Sequence, residues 1–529
     1  MSTVRSEVLS PASSPGVEEK LESGMTHRQV LEAMSGLLLG MFVAILSSTV
    51  VTTALPRIIG DLGGTQSSYT WVVTSTLLAL TVSTPIWGKL ADLFDRKLLI
   101  QIGLSVYVIG SILAGLSQST TWLIACRVIQ GLGVGGLTAL VQIVLSDLVS
   151  PRERGRYMGY LGAVFGLGTV AGPLLGGFIT DGLGWRWCFY VGVPFAVVAL
   201  IVLQRTLHLP RVRREVHIDY LGAFLIATGV SALLIWVSLA GQQYDWISWQ
   251  TAALVGAGVL ACGAAVAQER RAPEPLVPLR LFSERTVVLS VIASVSVGIA
   301  MFGTTVFLSQ YMQIARGQSP TVSGLLTIPM VTGLFVSSTV IGRVITRTGL
   351  YKRWMLLGAA LLTIGLALMG TMDETTSLVD VGAFMLITGA GVGMVMQNLV
   401  LVVQNTIAQR DIGAGSALVA FFRSLGGAVG VSALGALLTA HASSTIVSGL
   451  AEQGIDPSRL GGSSHQVPDV GSLPAPIAHI VEHAYGTGIA EMFLVAAPLG
   501  LVTFIALLFM QEKPLGSESG IERTLEESP

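Results

Sequence analysis

Three ionisable side chains lie inside otherwise uncharged apolar stretches of this chain: Arg127, Arg423 and Glu491. A charge surrounded by hydrocarbon is costly, so each should face a protein interior and find a partner there. Of these, Arg127 and Glu491, together with Asp147 at the end of an apolar run, are the first candidates for binding a solute or carrying a proton. Neutral hydrogen-bonding or aromatic side chains recur in the same stretches, at Ser47, Thr52, Trp71, Gln130, Gln142, Gln310, Tyr311, Gln397 and Asn398. Such groups can line a cavity, or simply bond from one helix to the next.

Other spacings suggest chemistry but lack the surroundings for it. His479, Glu482 and His483 read H-x-x-E-H, which on a helix puts two imidazoles and a carboxylate where a zinc hydrolase needs them. They fall in 441–487, rich in Gly, Ser and Pro and expected to be an external loop too short to bury a core of its own. Gly131, Gly133 and Gly136 form a lone G-x-G-x-x-G with no strand before it, which argues against a dinucleotide site. No G-x-x-x-x-G-K-[ST] phosphate loop occurs, so the chain cannot itself be an ATP-driven pump. Cys126, Cys188 and Cys262 all sit in apolar runs, as packing residues do, and no metal or cofactor is implied.

The elements that must hold these residues are membrane helices. Of 529 residues, 52% are hydrophobic and only 12% charged, half the charge of a soluble domain. The solvent for most of the chain is therefore lipid, and a near-neutral net charge of −1 gives no reason to expect a nucleic-acid partner. Spanning hydrocarbon takes about 20 apolar residues in a helix. Fourteen such runs emerge, from 33–55 to 414–440 and 488–510. Residues 1–32 are polar with no cleavable leader pattern, and the tail 511–529 is acidic and expected to be disordered.

Sidedness follows from Lys and Arg, which favour cytoplasmic loops. With the N-terminus inside, the cytoplasmic segments hold 23 of the 30 basic residues, and an even helix count returns the C-terminus to the same side. Two half-chains are visible in the glycines. Gly168-xxx-Gly172 recurs as Gly426-xxx-Gly430, and the loop from Gly88 finds an echo from Gly342 at a similar offset. The expected fold is thus an all-α membrane protein of two six-helix bundles, 33–206 and 286–510, with two inserted transmembrane helices in 207–285.

Four motifs, between Ile45 and Gly177, resemble the major facilitator superfamily, and the resemblance covers nearly the whole chain. GKLADLFDRK, from Gly88, is similar to its cytoplasmic loop signature at Gly88, Leu90, Asp92, Arg96 and Lys97, departing at Leu93 and Asp95. RVIQGLGVGG, from Arg127 through Gln130 and Gly131, resembles the fourth-helix signature of drug exporters. GLGTVAGPLLGG, with Gly168, Gly172, Pro173, Gly176 and Gly177, resembles the fifth-helix signature of the antiporter branch. ILSSTVVTTALPRI resembles the first-helix signature of the fourteen-helix drug/proton antiporters, but the family's aspartate is Ser47 here and its asparagine is Thr52.

The resemblance implies a latch at Gly88, Asp92, Arg96 and Lys97 and a coupling or binding role for Arg127. It implies a monomeric exporter of amphipathic small molecules, driven by protons, in a bacterial inner membrane. Export of one endogenous metabolite, siderophore or lipid is the alternative. With Ser47 in place of the aspartate, protonation falls to Glu491, Asp92 or Asp147.

No apolar run carries a carboxylate near its middle, so a permanently charged cation would lose several kcal/mol of hydration with no counter-charge to offset it. Neutral or weakly basic amphipaths are therefore expected to be exported better than bisquaternary dyes. Efflux assays on cells expressing the protein decide this, and equal export of the two classes would refute it.

Overall fold

A helix satisfies every backbone group within one segment, which is why a chain dissolved in lipid takes this form. In a computed structural model of the chain, the described residues are 27–63, 66–149, 151–207, 219–240, 244–272, 275, 277–318, 320–408, 411–453, 474–513 and 515. Among them, fourteen helices are long and apolar enough to cross a membrane. The first half holds α1 (His27–Asp61), α2 (Gln66–Leu93), α3 (Arg96–Gly115), α4 (Thr120–Leu148), α5 (Pro151–Gly182) and α6 (Gly192–Thr206). A single turn, Trp187–Tyr190, leads into α6. Then come α7 (Tyr220–Leu239) and α8 (Trp249–Glu269). The second half holds α9 (Arg285–Gln310), α10 (Ile328–Thr348), α11 (Lys352–Met369), α12 (Leu378–Thr406), α13 (Ile412–Glu452) and α14 (Ala475–Leu508). The tails expected at either end lie outside the described residues, apart from 27–32, 511–513 and 515.

Local chemistry sets the helix ends. The Asp95 carboxylate accepts from the backbone N–H groups of Lys97 and Leu98 and so starts α3, which gives this departure from the family loop a capping role. Gly349, at φ 70°, closes α10 in the left-handed conformation that favours glycine. Pro329 supplies no N–H to the turn before it, and α10 is correspondingly broken at Thr327 from the short piece Pro320–Leu326.

The loop expected over 441–487 is corrected: α13 runs on to Glu452 and α14 starts at Ala475, so His479, Glu482 and His483 are helical. The polar composition misleads there because a few apolar positions suffice. Leu450 and Val481 are buried, and Gly449 lets Ile480 pack closely against α13.

The repeated glycines do the same work in both halves. A Cβ on Gly168 would lie 2.8 Å from Ile45 Cγ2, and one on Gly172 would overlap Thr49, so α5 closes directly onto α1. The Thr49 hydroxyl also donates to the Gly168 carbonyl at 3.1 Å. In the second half, Cβ atoms on Gly426 and Gly430 would lie 2.5 Å from the Val295 carbonyl oxygen and Ile299 Cγ2, so α13 closes on α9 in the same manner. The G-x-G-x-x-G segment is likewise a packing seam inside α4, where Gly131 meets the Thr76 carbonyl of α2.

Helices α7 and α8 stand outside the two bundles. Val230 and Leu234 of α7 cluster with Phe421 of α13 and with Leu78 and Val82 of α2, so α7 covers a seam between the halves. Helix α8 packs on α7, and its outer residues, such as Leu260, stay exposed.

Gly172→Leu is expected to lower the melting temperature of the purified protein, by overpacking worth about 1–3 kcal/mol. Gly256→Ala in α8, where an added Cβ meets nothing within 4 Å, should leave it unchanged or slightly raised. Scanning fluorimetry in detergent measures both, and equal melting temperatures would dismiss the seam.

Candidate functional site

Arg127 sits in α4 about seven residues from the helix end, and only 3% of it is exposed, so it does not reach out of the bundle. Its Nη1 donates to Gln130 Oε1 at 3.0 Å and its Nε to the Val72 carbonyl of α2 at 3.5 Å. Gln130 Nε2 in turn donates to the Ser111 hydroxyl of α3 at 2.8 Å. Tyr107, one turn before Ser111 on α3, is buried as well. Ser47, where the family has an aspartate, bonds back to the Ala44 carbonyl of its own helix at 3.5 Å. The hydrogen-bond partners of Arg127 among the described residues are thus neutral groups of α2 and α4, extended by Gln130 to α3. Tyr107 and Ser111 escaped sequence reasoning because a tyrosine and a serine in an apolar run give no signal of their own.

The latch residues and Asp147 converge at the face of the bundle where both chain ends emerge, called here the basic face. Arg96 forms an ion pair with Asp147, bringing the start of α3 to the end of α4. Arg96 Nε also donates to the Ala91 carbonyl at 3.0 Å, and Lys97 Nζ to the Gln204 carbonyl of α6 at 2.9 Å. The backbone of Asp92 is helical, but its side chain lies outside the described residues. At Gly88, α2 meets α13 so closely that an added Cβ would overlap Ala417.

Two hydrogen bonds cross between the halves near this face. The Arg156 N–H donates to the Thr346 hydroxyl at 3.0 Å, and Gln404 Nε2 donates to the Gln142 carbonyl at 3.3 Å. Gln404 Nε2 also donates to the Ser416 hydroxyl at 2.8 Å, which knots α4, α12 and α13 together. Farther along, Pro173 of α5 lies against Gly324, in the short piece before α10.

Near the opposite face, Glu491 of α14 pairs with His441 of α13, and its side chain is 47% exposed. His483 pairs with Glu374 at 2.8 Å, so this histidine of the zinc-like spacing has a carboxylate partner from the loop between α11 and α12. Hydrogen bonds from the Thr375 and Thr376 side chains hold the neighbouring Asp373 carboxyl below the usual carboxylate range. The partners His441 and Glu374 were not singled out in the sequence, since a pair from separate helices has no spacing to read.

The cavity candidates divide. Tyr311 is fully buried and its hydroxyl donates to the Asp373 carbonyl at 2.7 Å, a contact that braces the same loop. Thr52 is exposed and bonds back to the Ser48 carbonyl, Asn398 bonds back to the Met394 carbonyl, and Trp71 is half-buried. Gln142 and Gln397 are buried; the Gln142 Oε1, the Gln310 Oε1 and both amide atoms of Gln397 have no hydrogen-bond partner among the described residues. In α5, Gly176 and Gly177 are buried, with the Cys188 thiol near the Gly176 carbonyl.

Residues 37–431 match the family model described as Major Facilitator Superfamily. An uncharacterised MFS-type transporter of Mycobacterium tuberculosis is 39% identical over 91% of this chain and 69% of its own length. A protein of Bacillus subtilis named a multidrug transporter is 35% identical over 77% of this chain and 75% of its own. Among solved structures, a proton:xylose symporter superposes with a TM-score of 0.64 at 14% identity, covering 95% of this chain and all of that one. That likeness concerns the fold.

Asp147→Ala strands Arg96 as a largely buried charge and is expected to destabilise the protein by about 3 kcal/mol. Adding Arg96→Met should restore most of the loss. Melting curves of the single and double variants test this, and additive losses would show that the two side chains are uncoupled.

Proposed function

The chain belongs to the major facilitator superfamily, a family of transporters and not of enzymes, and within it we propose export of amphipathic small molecules in exchange for protons. The observation that carries this reading is the buried Arg127 path, built on the segment that resembles the drug-exporter signature and joining α2, α3 and α4. A guanidinium held by neutral groups responds to charge brought nearby, whether on a substrate or by loss of a proton, so the path can couple the two. The multidrug naming of the Bacillus relative agrees with it.

In this reading the basic face is cytoplasmic, both termini are inside, and the protein works as a monomer in a bacterial inner membrane. The 23 basic residues on that side support the orientation. The two halves rock about a site between them, with proton and substrate favouring opposite access states so that neither leaks across alone. Asp92, Asp147 and Glu491 are the carboxylates available to carry the proton; Asp147 is paired with Arg96 and Glu491 with His441, partners that protonation would release.

Inside-out vesicles with an acidified interior provide the test. Adding a lipophilic drug from outside should drive it inward and bring protons out, raising the interior pH; Arg127→Ala should abolish that signal. Drug uptake with no proton movement would remove the antiport and keep the exporter. A response to one compound only, across a broad panel, would favour a dedicated substrate.

A further inference from the structure

Helices α12 and α13 meet at one bonded polar layer, and a second pair of buried polar side chains, at matching register, is left with open hydrogen-bonding atoms. At the first layer Gln404 of α12 meets Ser416 of α13 at 2.8 Å. Seven residues farther into the membrane on each helix stand Gln397 and Arg423. Seven residues are two turns, which returns each side chain to the same helix face about 10 Å deeper. The layers differ sharply. The first is a closed knot, whereas Arg423, 7% exposed, has an Nη1 with no partner among the described residues, and Gln397, 2% exposed, has neither amide atom bonded.

Buried polar atoms are almost always hydrogen-bonded, and a guanidinium left without a counter-charge in a membrane is more costly still. Along the helices that meet here, no acidic residue falls near this register. On the helices joined at the first layer, together with α2 and α9, the acidic residues are Asp92, Asp147, Asp380 and Glu452, all within the terminal turns or so of their helices. The backbone is meanwhile brought close on purpose: Gly298 of α9 admits the Arg423 main chain so tightly that a Cβ there would overlap it. Arg423 is thus held firmly in the interior with an open donor.

We propose that Arg423 and Gln397 form the subsite for an acidic group on the transported molecule, and that the substrates are amphipathic organic anions, carboxylates foremost. This rests on the export reading above and narrows it. The planar guanidinium presents donors matched to the two oxygens of a carboxylate, and the Gln397 amide adds a donor to the oxyanion and an acceptor for a neighbouring hydroxyl or N–H. The acid brings the charge that the chain itself lacks at this depth. The knot of Gln404, Ser416 and the Gln142 carbonyl stands two helical turns away, toward the basic face.

The test uses the full-length protein in proteoliposomes with a panel of aryl-alkanoic acids and their methyl esters, reading both binding and transport. The wild type should bind the acids more tightly than the esters by roughly tenfold or more, the range for a hydrogen bond to a charged group. Arg423→Gln should erase the preference while leaving ester binding within about twofold, and Arg423→Lys, which keeps the charge without the fork, should retain part of it. Equal binding of acid and ester by the wild type, or a preference that survives in Arg423→Gln, overturns the proposal. If esters are transported with proton exchange but acids gain nothing, the anion subsite falls and the exporter stands. If neither class is bound or moved, the export reading falls, and this inference with it.

Discussion

Lipid tails are as apolar as the side chains that touch them, so helices in a bilayer gain little from hiding leucines against one another. What holds this bundle together is backbone closeness, and closeness is set by glycine. The seams of α5 on α1 and of α13 on α9 are the same device used twice, at Gly168 and Gly172 and again at Gly426 and Gly430. Everything chemical in the interior hangs on them. The first seam fixes the stretch of α1 that carries Ser47 and Thr49. The second brings α9 against the main chain of Arg423.

The two halves share a scaffold but not an electrostatic solution. Each places one arginine inside the membrane. In the first half Arg127 is bonded to Gln130 and the Val72 carbonyl, with Ser111 extending the network to α3. In the second half Arg423 keeps an open donor beside an unbonded glutamine. A repeat that preserves packing while letting polar content diverge is what a transporter needs, because packing must be symmetric for the halves to rock and recognition need not be.

The two membrane faces are built differently as well. At the basic face the contacts are numerous and mixed: an ion pair between α3 and α4, a helix cap at Asp95, and hydrogen bonds that cross between the halves. At the opposite face the polar contacts named above lie within the second half, tying α13, α14 and the loop after α11 through His441, His483, Glu374 and Glu491. Helix α7 adds an apolar brace across the seam of α2 and α13.

The fold class was legible in the sequence because lipid imposes a one-dimensional rule: a helix long enough to cross must be about 20 apolar residues, and its basic flanks mark its side. Run length therefore gave the fourteen helices, and glycine spacing gave the two halves. It failed at 441–452 and 475–487, where composition was taken for a loop although Leu450 and Val481 are buried on helices α13 and α14; 454–473 lies outside the described residues. Arg127 could be singled out because an intramembrane charge is rare. Its partners could not, nor could the pairing of Arg96 with Asp147, of Glu491 with His441, or the unequal fates of Arg127 and Arg423. Hydrogen bonds and ion pairs join residues that are distant along the chain through distances of a few ångströms, and only the packing of helices decides which of them meet.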